Sequence, residues 1–375
     1  MTLKDGCEDC GISSDTYSDY HGGKIDIKVE ELKITDLNVI SVASTENATG
    51  NGGHINLEIG QLTLKNGGMI NASTSTSGNG GNITINANRG ISLIGKDSRI
   101  SNSVGDSGRG GNIFIKTPRL DMMDESAVQT GGFNLSTGDA GDIEIDADYL
   151  KLDDLSTIIS SSAGGGRSGN IIIYSIDTEL KQSSSIQSLS IGNANGGNIT
   201  AHVRNRLYLE DSGIIANAML PESQGNGGNI TISKPQLFVL DKSQILASAE
   251  NGKGGNITIS ANHFIHPYPY YQEGGNVQFE EAYLLNFFFE GTGFEETSKI
   301  NASSIFGKDG EVWINASEED ISRGLTRLPY EPLNIKLLTS RCSGFQEEDV
   351  STFFITSRDT LPLTPDSFRT GNYFP

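Results

Sequence analysis

Carboxylates are the side chains of this chain whose type and spacing could support chemistry. Two facing carboxylates ~5–10 Å apart can hydrolyse a glycosidic bond, and clustered carboxylates can bind calcium. Because alternate residues of a strand face opposite sides, we expect the acidic run of this chain to divide between two faces. We interpret it as a solvated edge, with a calcium site and catalysis as the alternatives. The run comprises Asp139, Asp142, Glu144, Asp146 and Asp148.

The other candidate residues lack catalytic partners in the sequence. Asp153 and Asp154 form a D-D pair like one block of polygalacturonase-like enzymes, but the accompanying G-H-G and R-I-K blocks are missing. His54 and His202 have no serine or cysteine at a known catalytic spacing, and we expect both at the surface. The sequence therefore predicts no catalytic residue and no cofactor.

The three cysteines leave their role open. Cys7 and Cys10 form a C-x-x-C, and Cys342 stands alone. A zinc site needs four ligands, and His21 would still leave the count short. We predict no metal site; a redox or structural disulfide and the absence of any special role are the remaining interpretations.

Charge and hydropathy exclude several classes of function. The net charge is −20 with only 27 basic residues, which argues against binding to nucleic acid or to an anionic bilayer. No stretch approaches the ~18–20 apolar residues of a transmembrane helix, and the start has no apolar signal-peptide segment. We expect the chain to be a C-terminal fragment or a truncated product.

A short motif, G-G-N-I-x-I, recurs along most of the chain. The first aliphatic residue of each copy falls at 25, 55, 83, 113, 143, 171, 199, 230 and 257, one every 27 to 31 residues. Each unit also contains an L-x-L pair and an S-x-I burst. Three period-two bursts without helical periodicity predict three short strands per ~29-residue coil. The fold class is therefore all-β, a right-handed parallel β-helix. Leucine-rich repeats, propellers and nine-residue calcium repeats fit the pattern less well.

The motif also predicts which residues hold the coils together. The recurring asparagines should form a ladder of side-chain hydrogen bonds from coil to coil. The glycine before each asparagine should provide either a positive φ or a close backbone approach. The predicted ladder residues are Asn82, Asn112, Asn170, Asn198, Asn229 and Asn256, and the predicted turn glycines are Gly53, Gly81, Gly111, Gly197, Gly228 and Gly255.

Departures from the repeat set the boundaries. We predict an irregular segment at 1–20, a β-helix of about ten to eleven coils at 21–317 that is irregular at 263–297, and a non-repetitive tail at 318–375 that caps the end or is partly disordered. A motif copy at 274–277 is expected to start a short coil. The aromatic cluster at 283–289 is read as a local plug, with a partner anchor as the alternative. The polar loops before each G-G-N, such as 73–79, should form a ridge that is solvated or binds glycans.

The repeats and the tail together resemble a known family. The G-N-G-G-N-I-T-I units, S-R-G-L-T-R-L-P at 322–329, Cys342 and the run at 351–362 resemble the filamentous haemagglutinin-type exoproteins of two-partner secretion systems. The resemblance covers roughly residues 20 to 365. It implies an adhesin or surface filament, secreted or held at the cell surface. An N-P-N-x-G-type secretion motif is not seen in this sequence.

Three functions follow from these patterns. The preferred one is a non-catalytic adhesin or filament segment whose partners are glycans or a host or neighbouring cell surface. An outer-membrane barrel transporter is a further partner if the full-length protein has the secretion domain. The alternatives are a carbohydrate-active β-helix enzyme, either a lyase or a hydrolase, and a truncated structural remnant.

Overall fold

The fold was obtained as a computed structural model, which describes residues 1–4, 10–44, 48–132, 136–218, 223–267, 270–273 and 298–319. All of these lie in one compact unit, Met1–Leu325. The described residues contain strands and no helix. In chain order the strands are β1 (Thr2–Leu3), β2 (Gly11–Ser13), β3 (Lys24–Thr35), β4 (Val39–Ser41), β5 (His54–Lys65), β6 (Met69–Asn71), β7 (Ile83–Ile94), β8 (Arg99–Val104), β9 (Ile113–Met123), β10 (Ala127–Gly132), β11 (Ile143–Leu152), β12 (Thr157–Ser162), β13 (Ile171–Lys181), β14 (Ser185–Ser190), β15 (Ile199–Glu210), β16 (Gly213–Ile215), β17 (Ile230–Ser233), β18 (Leu237–Asp241), β19 (Gln244–Leu246), β20 (Ile257–Ile265), β21 (Tyr270–Glu273), β22 (Ser298–Asn301) and β23 (Val312–Glu319).

These strands stack into a parallel β-solenoid, which confirms the predicted fold class. One sheet of the described chain has twelve strands and the other has eleven, and within each sheet strands from successive coils pair in parallel. The register follows the repeat, since Ile55 pairs with Ile83 and Ile83 with Ile113. Equivalent residues therefore lie directly above one another along the axis.

The first two sequence bursts of most coils form one bent strand. In β5 a single strand covers both H-I-N-L-E-I and the L-x-L pair, and its pairing with β7 shifts register between Ile59 and Gln61. The shift marks the bend at which the strand turns from one side of the coil to the next. The two bursts separate only at β17 and β18, where Lys234 and Pro235 interrupt the ladder.

The core is made of stacked aliphatic rows, as the period-two pattern requires. The row that begins the long strand is fully or almost fully buried from Ile55 to Ile257, and Ile25 at its start is 8% exposed. The L-x-L side chains are buried likewise, and near the C-terminal end Phe238 stacks on Phe264 at 4.9 Å between ring centroids. Each coil thus buries its apolar face against its neighbours.

The start of the chain differs from the irregular segment expected at 1–20. Leu3 of β1 pairs with Ile34, Ile12 of β2 pairs with Ile40, and Thr16 forms an isolated bridge with Ser44. These residues follow the same ladders as the later coils. They lack the G-G-N motif, and for that reason the repeat search missed them.

The coil expected to start at 277 is not part of the ladder, and that prediction was wrong. Ile257 of β20 pairs directly with Val312 of β23, and on the other sheet Gln244 pairs with Lys299. Both ladders pass over the intervening residues, so an insertion lies between Ile265 and Ser298. The motif copy at 274–277, the aromatic cluster at 283–289 and the tail from 320 onward fall outside the described residues.

Candidate functional site

The six predicted ladder asparagines are linked from coil to coil on the outer surface. The side-chain oxygen of Asn82 accepts the backbone N–H of Asn112 at 2.9 Å, and that of Asn198 accepts the N–H of Asn229 at 2.9 Å. In the middle of the ladder the amides also bond to each other, since Asn229 Nδ2 donates to Asn198 Oδ1 at 3.0 Å. The ladder therefore satisfies backbone donors at the corner where each long strand begins.

Two other residue types occupy ladder positions that the sequence did not predict. His54 Nδ1 accepts the N–H of Asn82 at 3.0 Å, and Asp142 Oδ1 accepts the N–H of Asn170 at 2.6 Å. A ring nitrogen, a carboxylate and an amide oxygen share only their ability to accept a hydrogen bond. Acceptance, not the amide as such, is the property required at this corner.

A second ladder runs three residues upstream of the first. Asn51 Oδ1 accepts the N–H of Asn79 at 2.8 Å, Asn79 Oδ1 accepts the N–H of Arg109 at 2.9 Å, and Asp139 Oδ1 accepts the N–H of Arg167 at 2.9 Å. The signal was present in the sequence, because the motif often reads N-G-G-N, with an asparagine on both sides of the glycine pair.

The six predicted turn glycines are required by close backbone approach. A Cβ on Gly81 would meet the carbonyl of Gly53, and a Cβ on Gly228 would meet the carbonyl of Gly197. None of the six is among the described glycines with a positive φ. Of the two reasons proposed from the sequence, contact between neighbouring coils is therefore the one that applies.

The acidic run does not divide between two faces, so that expectation was wrong. Ile143, Ile145 and Ala147 point inward, and because the run's strand carboxylates occupy the even positions, they all face outward. Asp146 pairs with Lys116 at 2.7 Å, and Asp148 lies 4.0 Å from Arg204. Within the described residues, no group of three or more histidine, cysteine, aspartate or glutamate side chains is arranged to hold a metal ion.

The remaining candidate residues are dispersed over the surface. Asp153 pairs with Lys151 at 2.7 Å, and Asp154 lies in a turn with φ of 46°. Cys10 is in a disulfide; Cys7 and Cys342 lie outside the described residues. The structure therefore does not bring the aspartate pair together with the acidic run or with either histidine in a common site.

The predicted loop ridge is partly engaged in stacking. Thr74 is buried and forms bridges with Ser44 and Val104 of the flanking coils. Ser75 Oγ donates to the carbonyl of Ser44 at 3.2 Å. Several hydroxyls of this ridge are thus used between coils, which leaves fewer of them to face a ligand.

A groove runs along the outer side of the solenoid where the long strands bend. One section, of about 780 Å³, extends from Lys28 to Asp148, and a second, of about 810 Å³, extends from Glu144 to Gln236. The two sections share Asp146 and Asp148 and so follow one line. We call this the axial groove.

One wall of the axial groove is a single row of equivalent outer residues whose identity changes at every coil. Lys28 pairs with Glu58 at 2.7 Å, and Lys116 pairs with Asp146. The row then becomes aromatic, since Tyr174 stacks on His202 with 5.0 Å between ring centroids and 15° between planes. Sequence reasoning noted His202 and missed its partner, which lies one period of 28 residues earlier.

A half-buried charged network covers the neighbouring outer face. Tyr149 Oη donates to Glu179 Oε2 at 2.5 Å, and the guanidinium of Arg119 lies 4.2 Å from the Tyr149 ring centroid. Burial and the hydrogen bond to Glu179 raise the pKa of Tyr149 to about 12. Burial pushes the pKa of Glu179 upward, but the hydrogen bonds from Lys181 and Tyr149 outweigh it, so this pKa lies below its usual value. The network joins strands of successive coils.

Fold and site together define a class, the parallel β-solenoid with an open axial groove. In comparisons with protein-family models, with curated proteins and with solved structures, the chain matched none. No helix in the described part of the chain could cross a bilayer.

Proposed function

We propose that this chain is a segment of an exported β-solenoid that is displayed at the cell surface and mediates adhesion, as the resemblance to filamentous haemagglutinin-type exoproteins implies. A surface filament built from the same coils is part of this proposal. Its location is then secreted or bound to the outer membrane, with a barrel transporter as the export partner of the full-length protein.

The observation that carries the proposal is the contrast between the two sides of each coil. Inner and corner positions repeat, as in the aliphatic rows and the stacked glycines. The outer row at the groove changes at every coil, from Lys28 and Glu58 to Tyr174 and His202. Solenoids use such extended variable faces to bind partners, so this contrast supports a binding function.

Two further features agree with a protein of the cell exterior. Cys10 is in a disulfide, and disulfides persist mainly in oxidising compartments. The net charge of −20 favours solubility and disfavours nucleic acid as a partner.

The proposal is tested by adhesion of coated beads. Beads carrying the purified chain should attach to bacterial or host cells more than beads carrying an unrelated protein of similar net charge. In cells of the source organism, protease added outside should degrade the protein without lysis. Attachment no greater than that of the control beads would count against adhesion, and protection from external protease would count against display.

One observation favours the alternative of a carbohydrate-active enzyme. The axial groove places carboxylates beside basic side chains, as at Asp146 and Lys116, and acid–base cleavage of a polysaccharide needs both kinds of group. This alternative predicts new reducing or unsaturated chain ends when the protein is incubated with polysaccharides. The adhesion proposal predicts that no new ends are released.

A further inference from the structure

The Tyr174–His202 pair forms a flat aromatic surface on the wall of the axial groove. The two residues pair in register on β13 and β15, and their rings are within 15° of parallel. Tyr174 is 42% exposed, and His202 Nδ1 lies 2.7 Å from Ser233 Oγ, which fixes the imidazole plane. Nothing in the described residues covers the outward face of the pair.

The groove around this pair is long enough for a polymer. It passes across coils from β3 to β17, seven steps of ~4.8 Å, or roughly 34 Å. It follows the axis and is bounded by side chains on two sides. An extended chain laid along it would meet the same backbone geometry at every coil while contacting different side chains.

The charges of the groove indicate a neutral occupant. Its lining holds four basic residues against five carboxylates, whereas the whole chain has 27 basic and 47 acidic residues. Most of the basic residues are already matched, as in Lys28–Glu58 and Lys116–Asp146. A polyanion would be repelled by the net charge, and a polycation would prefer the more acidic remainder of the surface.

The polar groups beside the rings suit a hydroxyl-rich ligand. Asp146 and Asp148 supply acceptors next to Tyr174, and Arg204 supplies donors on the opposite wall. Carboxylates and guanidinium groups bond pairs of neighbouring hydroxyls in a defined geometry. Aromatic surfaces bind the apolar faces of such ligands while polar side chains orient them.

From these contacts we propose that the axial groove binds a neutral, unbranched polysaccharide parallel to the solenoid axis, with the Tyr174–His202 pair as its stacking surface. This rests on the proposed adhesion function, for which it names the ligand class. It also places the glycan site in the groove and not on the loop ridge.

The test is calorimetric titration of the full chain with cellohexaose, mannohexaose and xylohexaose, with heparin and a chitosan hexamer as charged probes. At least one neutral hexasaccharide should bind, and the double variant Tyr174→Ala/His202→Ala should weaken that binding roughly tenfold or more. Tyr17→Ala is the matched control, because Tyr17 is 77% exposed and lies outside the groove. Tyr174→Phe should retain binding, and far-UV circular dichroism should be unchanged in all variants.

Several outcomes overturn the inference: no binding of any neutral probe, binding of the charged probes alone, or equal affinity of the double variant and the parent. Bead adhesion measured on the same variants separates the two proposals. Adhesion without neutral-glycan binding overturns the groove inference and keeps the adhesion proposal. Groove-dependent glycan binding without adhesion does the reverse.

Discussion

At the scale of single residues, this solenoid is governed by what fits between neighbouring coils. Gly81 and Gly228 face the carbonyls of the preceding coil so closely that a methyl group cannot be placed there. Backbone atoms cannot move aside as a flexible side chain can, and the cost of a Cβ therefore falls on the stacking of two coils. The glycine pair is a packing requirement of the corner.

Gly81→Ala is expected to destabilise the solenoid by about 3 kcal/mol, the upper part of the usual range for overpacking. The matched control is Gly165→Ala, because a Cβ at Gly165 has no heavy atom within 4 Å. Urea unfolding followed by far-UV circular dichroism should show a lower midpoint for Gly81→Ala only. Equal midpoints for the two variants would contradict the assignment of the contact.

The ladder predicts a different response at Asn82, whose oxygen accepts the N–H of Asn112. Asn82→Ala removes the acceptor and should cost about 1 kcal/mol. Asn82→Asp keeps an acceptor, as Asp142 does in the same ladder, and should stay close to the parent. Unfolding midpoints of both variants check this. If the aspartate variant were as unstable as the alanine variant, the amide itself would be required.

Repetition decided which of these residues the sequence could predict. The asparagines and glycines recur at one position of the motif, and a physical constraint that acts in every coil leaves such a trace. His54 and Asp142 perform the same ladder function with other side chains, so residue identity hid them. The groove residues differ from coil to coil, and only the strand register places Tyr174 beside His202.

At the scale of elements, the sheet faces differ in how they hold successive coils together. The inner rows are apolar and uniform, whereas the outer face near Tyr149 uses a network that includes Arg119, Glu179 and Lys181. The sequence predicted the inner rows from period-two alternation alone. It did not predict the network, because its members come from different coils and meet only when the register is fixed.

This network gives the solenoid an alkaline pH dependence. The pKa of Tyr149 is raised from 10.0 to about 12 in the folded state, so the folded form holds this proton more tightly. The associated stability is fully present below pH 10 and is lost as the pH rises toward 12. Because the side chain is partly exposed, we expect about 1 kcal/mol or less.

Tyr149→Phe should remove this part of the pH dependence. Urea midpoints measured from pH 8 to pH 11 should fall less steeply for Tyr149→Phe than for the parent chain. Tyr17→Phe serves as the control, since Tyr17 is an exposed tyrosine outside the network. Parallel curves for the parent and Tyr149→Phe would show that the tyrosine does not couple to folding.

At the scale of the whole solenoid, continuity depends on the register and not on the chain distance between coils. The step from Ile257 to Val312 is 55 residues, yet these two residues pair as directly as Ile230 and Ile257 do. The sequence disclosed the irregular spacing, but it divided the surplus into two coils because a motif copy occurs at 274–277. Pairing on both sheets was needed to assign the surplus to one insertion.

The insertion also contributes an edge strand. β21 (Tyr270–Glu273) pairs with the side of β22 that faces away from β19. An uncovered parallel edge can pair with another molecule. We therefore expect the insertion to limit self-association, and the coils before it to fold without it, since each coil contacts mainly its neighbours.

Replacing 267–297 with a short turn should preserve the β-sheet signal and produce dimers or larger species through β22. The matched variant replaces only 274–297 with a Gly/Ser linker of about twelve residues, long enough for a parallel crossover, and retains β21. Size-exclusion chromatography with light scattering should show association for the first variant and the parent's state for the second. Association of both would assign the effect to 274–297 and not to β21, while loss of the β signal in the first would show that the preceding coils need the insertion to fold.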